Sequence, residues 1–233
     1  MNYFAHGIRY LSDPWFLAGT ATPDWLSVVD RKVRLRERYL KPFQSSEDPR
    51  IASYASGVLQ HLHDDQWFHD TVAFYEITSV IADCFRQLPD QDDGFLPGFL
   101  GHITTELLLD RLLMEQYPGV IDQYYESLED IPPSTVEEFV NQIAVRETTQ
   151  LAKFITIFQE VRFLKDYLDT RQLLKRLNQV LHRVKLQPLP DRAELTLESA
   201  WKIVRERGWE LLPPEKYPLN HPGFHTTQRK RTT

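Results

Sequence analysis

Apolar residues recur at helical spacing along most of the chain, and alternation with a period of two is almost absent. Residues 49 to 63 and 72 to 87 place aliphatic and aromatic side chains three and four positions apart, which predicts two core-facing helices. A longer helix is expected over 95 to 116, with a start near Gly98 or Gly101. The first half of the chain therefore predicts an all-α fold.

The second half continues the helical pattern. Ser134 and Glu137 form a capping-box sequence that predicts a helix running into the 140s. Leucines and aromatics recur in helical steps from about 148 to 184, and a short helix is expected near 195 to 208. We find no solenoid-length repeat and no second core pattern. The sequence predicts a single-domain helical bundle over residues 1–210, followed by a proline-containing, mobile C-terminal tail over 211–233.

Composition narrows the possible environments and partners. The chain has 233 residues, 42% of them hydrophobic, with 27 Lys and Arg against 33 Asp and Glu and a net charge of −6. This balance argues against a general nucleic-acid or anionic-membrane binder. No stretch approaches the roughly 18 apolar residues of a membrane span. The single cysteine, Cys84, cannot form an internal disulfide, and no signal-peptide pattern opens the chain, so we expect a cytoplasmic protein.

The segment "GVLQHLHDDQWFHDT" contains the main candidate ligands. His61 and Asp65 lie four positions apart, on one face of a helix, and His69 follows along the same face. His102 and Glu106 repeat this spacing in "HITTE", and Asp110 lies one turn further on. Imidazole and carboxylate ligands suit Zn, Mn or Fe, so the two pairs predict a site for one or two divalent metal ions.

Two further candidates lie near the start of the chain: His6, in an apolar stretch, and Asp24, after Pro23. Each has an ordinary alternative, because His6 can be a hydrogen-bonded core residue and Asp24 can cap a helix that begins at Trp25. The two spaced pairs can likewise satisfy each other in a buried, non-catalytic network. Three polar residues in the same region are expected to be solvated: His63, Asp64 and Asp70.

The segments "MNYFAH", "LAGTATPDW" and "GVLQHLHDD" resemble the acyl carrier protein phosphodiesterase family, and the similarity extends through "FLKDYLDTRQLLKRLNQVLHR" to about residue 183. The resemblance implies an HD-domain-like helical architecture and hydrolysis of a phosphodiester, with acyl carrier protein as a partner. It places four residues at the family's metal positions: His6, Asp24, His61 and Asp65. Gly101-His102 replaces the family's Asp-His pair, and "HITTE" is similar to the His-x-x-x-Glu of zinc-dependent phospholipases C.

These ligands predict metal-activated water as the nucleophile, with Asp65 in the catalytic site and a second ion completed by His69, His102 or Glu106. Glu106 is the candidate that orients the water or takes its proton. Arg34 and Arg36, in the basic run of residues 31 to 41, are candidates for binding the substrate phosphate, and the alternative is that this run is only an exposed basic helix. Two alternatives stay open: a hydrolase of a small phosphodiester, nucleotide or phospholipid head group, and a non-catalytic helical scaffold.

Overall fold

The computed structural model describes residues 1–88 and 96–219, and within these ranges all regular secondary structure is helical. The α-helices are α1 (Tyr3–Gly7), α2 (Pro14–Val29), α3 (Glu37–Leu40), α4 (Pro49–His69), α5 (Val72–Arg86), α6 (Pro97–Gln116), α7 (Val120–Glu129), α8 (Pro133–Ile143), α9 (Leu151–Val161), α10 (Thr170–Arg183) and α11 (Ala193–Arg207). Short 3₁₀ segments cover Ile8–Tyr10, Lys41–Ser45, Phe163–Leu168 and Gly208–Leu211. The all-α prediction is confirmed.

Helix α4 is longer than its apolar pattern predicts. It begins after Asp48, whose side chain accepts a hydrogen bond from the backbone N–H of Arg50, and it continues through the polar segment to His69. The next helix starts at once, because Thr71 caps α5 by accepting from the backbone N–H of Phe74. The continuity of α4 places His61 and His69 on one rigid element.

The region from 148 to 184 is divided, unlike the single helical pattern that its sequence shows. Arg162 adopts the left-handed conformation (φ 49°) and ends α9, and Asp169 caps α10 by accepting from the backbone N–H of Gln172. The predicted capping box is also wrong. Ser134 lies inside α8, which has Pro132 at its N-cap and no capping side chain.

The C-terminal boundary of the domain lies later than residue 210. Leu211, Leu212 and Tyr217 are buried, so residues 211–219 pack on the helices instead of forming a mobile tail. The Tyr217 hydroxyl donates to the carbonyl of Ala5, and the Arg9 guanidinium lies 4.2 Å from the centre of the Tyr217 ring. The remainder of the predicted tail, residues 220–233, lies outside the described residues.

Two glycines allow α2 and α4 to cross in close contact. A Cβ atom on Gly19 would lie 2.2 Å from the carbonyl oxygen of Tyr54, and one on Gly57 would lie 2.1 Å from that of Phe16. Only hydrogen fits at these positions, because a Cβ would overlap a backbone atom. The crossing brings the following turn of α4, with His61, against Thr20 of α2.

One hydrophobic cluster includes buried residues from Met1 to Tyr217, so the described residues form one helical domain. A second close crossing joins α5 and α6, where a Cβ on Gly101 would lie 2.5 Å from the carbonyl oxygen of Thr78. This crossing fixes the first turns of α6, which carry His102 and Glu106. No helix in the described ranges has the length and apolarity needed to cross a membrane.

Candidate metal centre

Helix α1 carries His6, and α6 holds this short helix in place. The carboxylate of Asp110 accepts hydrogen bonds from the backbone N–H groups of Phe4 (3.2 Å) and Ala5 (2.8 Å) and from Asn2 Nδ2 (2.7 Å). Burial raises the pKa of Asp110 to about 7, although these three donors oppose the shift. Asp110 therefore anchors the N-terminal end of α1 and does not join the metal candidates.

The first group of candidate ligands joins α1 to α4. His6 Nε2 lies 3.1 Å from Asp65 Oδ1, and His61 Nε2 lies 3.4 Å from Asp65 Oδ2. The two imidazole rings are buried and stacked, with their centroids 3.8 Å apart. We call these residues the first triad: His6, His61 and Asp65.

A backbone contact determines which nitrogen of His61 faces the triad. His61 Nδ1 lies 2.8 Å from the carbonyl oxygen of Thr20, and because a carbonyl can only accept, Nδ1 carries the hydrogen. In the neutral ring Nε2 then presents a lone pair towards Asp65. The Nε2 lone pair and the Asp65 carboxylate are both acceptors, so they face each other favourably only when a proton or a metal ion lies between them. A hydrogen bond from Nδ1 to a backbone carbonyl is also the usual support of a metal-binding histidine.

The second group lies between α4 and α6. His69 Nε2 and His102 Nε2 lie 2.9 and 3.2 Å from Glu106 Oε1, and the two rings are nearly parallel with centroids 5.0 Å apart. We call these residues the second triad: His69, His102 and Glu106. The chosen ligand atoms of each triad lie within 4.8 Å of one another. Ligands about 2.1 Å from a tetrahedral ion are about 3.4 Å apart, so the spacing suits one ion per triad.

A cationic group links the two triads. The buried α-amino group of Met1 lies 2.8 Å from Asp65 Oδ1 and 3.3 Å from Glu106 Oε1. Burial opposes its charge, but the carboxylates of Glu106 and Asp65 outweigh burial and raise the pKa of this amine to about 10. The position between the two carboxylates thus favours positive charge.

Both triad carboxylates are ionised. Burial alone would raise the pKa of Asp65, but its close contacts with the rings of His6 and His61 and the charge of Met1 hold that pKa well below its usual range. The pKa of Glu106 is also lowered, because the Met1 amine and the histidines of the second triad outweigh burial. The centre therefore offers two negative oxygen ligands together with four imidazoles.

Asp24 has a different environment. It lies inside α2, directly after Pro23, so it does not cap a helix beginning at Trp25. Its Oδ2 is buried without a hydrogen-bond partner among the described residues. Burial raises its pKa to about 7, and the neighbouring Asp65 and Glu106 add to the shift. Asp24 stands outside both triads, and it is one of the residues that line an adjoining cavity.

The cavity has a volume of about 320 Å³ and reaches both Asp24 and Glu106. Its cationic lining residues are Arg176 and Arg183 of α10, whereas Arg34 and Arg36 do not line it. Sequence reasoning missed Arg176, because nothing in the pattern of α10 shows which neighbour its polar face meets.

Arg34 and Arg36 lie in a segment without regular secondary structure, and Arg36 has an extended backbone, so the alternative of an exposed basic helix is wrong for these positions. Buried Val33 and Leu35 alternate with the two exposed arginines. This short period-two pattern in "VRLR" was the available signal in the sequence. Their predicted contact with a substrate phosphate stays a prediction.

The prediction that Asp64 is solvated is wrong. It is buried, not solvated: it forms an ion pair with Arg9 and accepts from Gln60 Nε2 at 2.8 Å and Trp67 Nε1 at 3.1 Å. Arg9 lies in an apolar N-terminal stretch, where a buried arginine needs a carboxylate partner. This was the signal in the sequence that could have predicted a buried aspartate. His63 and Asp70 are exposed, as predicted.

No protein-family model matches this chain, and neither a curated protein nor a solved structure matches it significantly. The fold and the site together define the class: an all-α protein with two His-His-carboxylate triads, one of which reaches a cavity through Glu106. Its activity has to be argued from the geometry of these side chains.

Proposed function

We propose that this protein is a metal-dependent phosphodiester hydrolase that uses metal-activated water. The observation that carries the proposal is the composition of each triad: two histidines and one carboxylate. Three protein ligands leave the fourth position of a tetrahedral ion open for water, which is the arrangement of catalytic zinc sites and not of structural ones. Divalent Zn, Mn or Fe fits these ligands, with one or two ions per chain.

The metal supplies two effects when it is bound: it lowers the pKa of bound water towards about 7 and stabilises charge on a phosphoryl oxygen. Phosphate esters fit the cavity because arginines line it beside the candidate ligands. The resemblance to acyl carrier protein phosphodiesterases, which implies an HD-like architecture, supports the same reaction class.

We assign the carboxylates by their environments. Asp65 and Glu106 each contact two imidazoles and act as ligands. Asp24 keeps a buried, unpartnered oxygen at the cavity, so we assign it the task of orienting the attacking water or taking its proton. The two roles are the reverse of those expected from the sequence, where Glu106 was the candidate base and Asp24 a candidate metal ligand.

Asp24→Asn and Glu106→Gln separate these roles. Asp24→Asn should retain most of the bound metal and lower kcat for a chromogenic phosphodiester by roughly 10²-fold or more, the usual effect of losing a positioned base. Glu106→Gln should lower metal content and activity together, with partial recovery in excess metal. Metal content is measured by elemental analysis beside the kinetics. Loss of metal in Asp24→Asn, with full occupancy in inactive Glu106→Gln, would reverse the assignment.

An acidic carrier protein is one macromolecular form of the substrate. The exposed basic run starts near the cavity, because Arg31 donates to the carbonyl oxygen of Arg183, a cavity-lining residue, at 3.2 Å. The double reversal Arg34→Glu, Arg36→Glu should slow turnover of acyl carrier protein in a salt-dependent manner and leave a small phosphodiester unaffected. An equal loss of turnover with both substrates would instead indicate that a small phosphodiester is the natural substrate.

A non-catalytic scaffold is the second candidate. One observation favours it: the Met1 amine and the histidines already give Asp65 and Glu106 polar partners. In that case Glu106→Gln should change stability by about 1 kcal/mol. The wild-type protein should then hydrolyse no phosphodiester with any divalent ion tested.

A further inference from the structure

Helices α9 and α10 both line the cavity, but they contribute different chemistry. Helix α9 contributes Phe154, Ile157 and Val161, which lie on one face because they are three and four positions apart. The core face of the same helix carries Leu151, Ile155 and Phe158. Ile157 and Val161 remain 42% and 52% exposed, so α9 has more apolar surface than the core covers. The uncovered part borders the cavity.

Helix α10 contributes two arginines with different partners. Arg176 is already paired, since its Nη2 lies 2.6 Å from Asp166 Oδ2. Arg183 is exposed and forms no ion pair among the described residues, and its ionisable neighbours are Arg31 and the neutral hydroxyls of Tyr3 and Tyr167. Partial burial lowers the pKa of the Arg183 guanidinium, which nevertheless stays protonated. Its guanidinium is therefore available to pair with an anion in the cavity.

We infer that the cavity binds a phosphate ester with an apolar substituent, with Arg183 contacting the phosphoryl oxygens and the exposed face of α9 contacting the substituent. Asp24 and Glu106 line the same small cavity, so one ester can reach the arginine, the apolar face, the proposed base and a ligand of the second triad together. The inference rests on the proposed function and adds the substrate class to it. Arg183 is then a specificity-determining residue and α9 supplies the selectivity for apolar groups.

Binding and turnover are measured separately to test this substrate class. Methylphosphonate and octylphosphonate are titrated calorimetrically into metal-loaded protein, which requires no hydrolysis. Octylphosphonate should bind at least about tenfold more tightly, because part of its chain leaves water. The double variant Ile157→Thr, Val161→Thr should remove most of this preference. Val145→Thr should keep it, because Val145 is an exposed valine (74%) outside the cavity.

Arg183→Gln should lower the affinity for both phosphonates by roughly tenfold or more, which is the effect expected from losing a charge-assisted hydrogen bond. Arg171→Gln is the matched control, because Arg171 lies on the same helix but pairs with Glu194 at 3.2 Å. The same preference should appear in kcat/KM for octyl over methyl 4-nitrophenyl phosphate. Selective binding without turnover would support the inference and contradict the proposed function. Equal affinity for both phosphonates, or no effect of Arg183→Gln, would overturn the inference even in an active hydrolase.

Discussion

His61 shows how a single residue connects the fold to the candidate chemistry. Its Nδ1 binds the backbone carbonyl of Thr20, and its Nε2 faces Asp65. The first contact depends on the helix crossing and fixes the ring, so that the second nitrogen is presented to the site in one orientation. In the second triad Glu106 connects the two histidines, because the Nε2 atoms of His69 and His102 both lie close to its Oε1.

Removal of a triad residue should remove bound metal. His61→Ala and Asp65→Ala should each lose the ion of the first triad and keep any ion held by the second, because only two ligands of the first triad remain. His63→Ala and Asp70→Ala are matched controls from the same segment, since both residues are exposed and outside the triads. Elemental analysis after identical purification gives the comparison. Equal metal content in all four variants would place the metal elsewhere.

At the scale of elements, the close crossing of α2 and α4 is the feature on which the centre depends. It places Thr20 beside His61, and α2 also supplies Asp24. The glycines at the crossing lack side chains, so they allow the backbones to approach while contributing no ligand.

Gly57→Ala should therefore disturb both stability and the site. Its Cβ would overlap the carbonyl oxygen of Phe16, so the helices must separate, at a cost of about 1 to 3 kcal/mol. Gly98→Ala is the control, because a Cβ there meets nothing within 4 Å, and alanine should be neutral or stabilise α6 by up to about 1 kcal/mol. Urea unfolding measures both variants. A Gly57→Ala protein as stable as wild type would contradict the described crossing.

At the scale of the whole molecule, periodicity was sufficient to predict the helical class and both four-residue pairs. His61 and Asp65 share a helical face, as do His102 and Glu106, so local geometry brings each pair together. The joining of His6 to the first pair depends on α1 docking against α6, which no local pattern specifies.

The remaining features depend on packing between distant segments. Asp64 is buried only because Arg9 folds against it, and Arg183 meets the cavity only because α9, α10 and the first residues of the chain line it together. The sequence shows that such side chains exist, but the burial of each depends on contacts formed by the complete fold. This is why Asp64 was assigned to solvent and Asp24 to a possible helix end.

The most direct test of the central claim is the divalent metal content of protein purified without a histidine tag under metal-replete conditions. The triads predict roughly one or two equivalents of Zn, Mn or Fe per chain. A structure of that protein should place each ion about 2.0 to 2.2 Å from the histidine nitrogens and carboxylate oxygen of a triad. Protein that is folded, holds less than about a tenth of an equivalent and does not bind added metal would contradict the account.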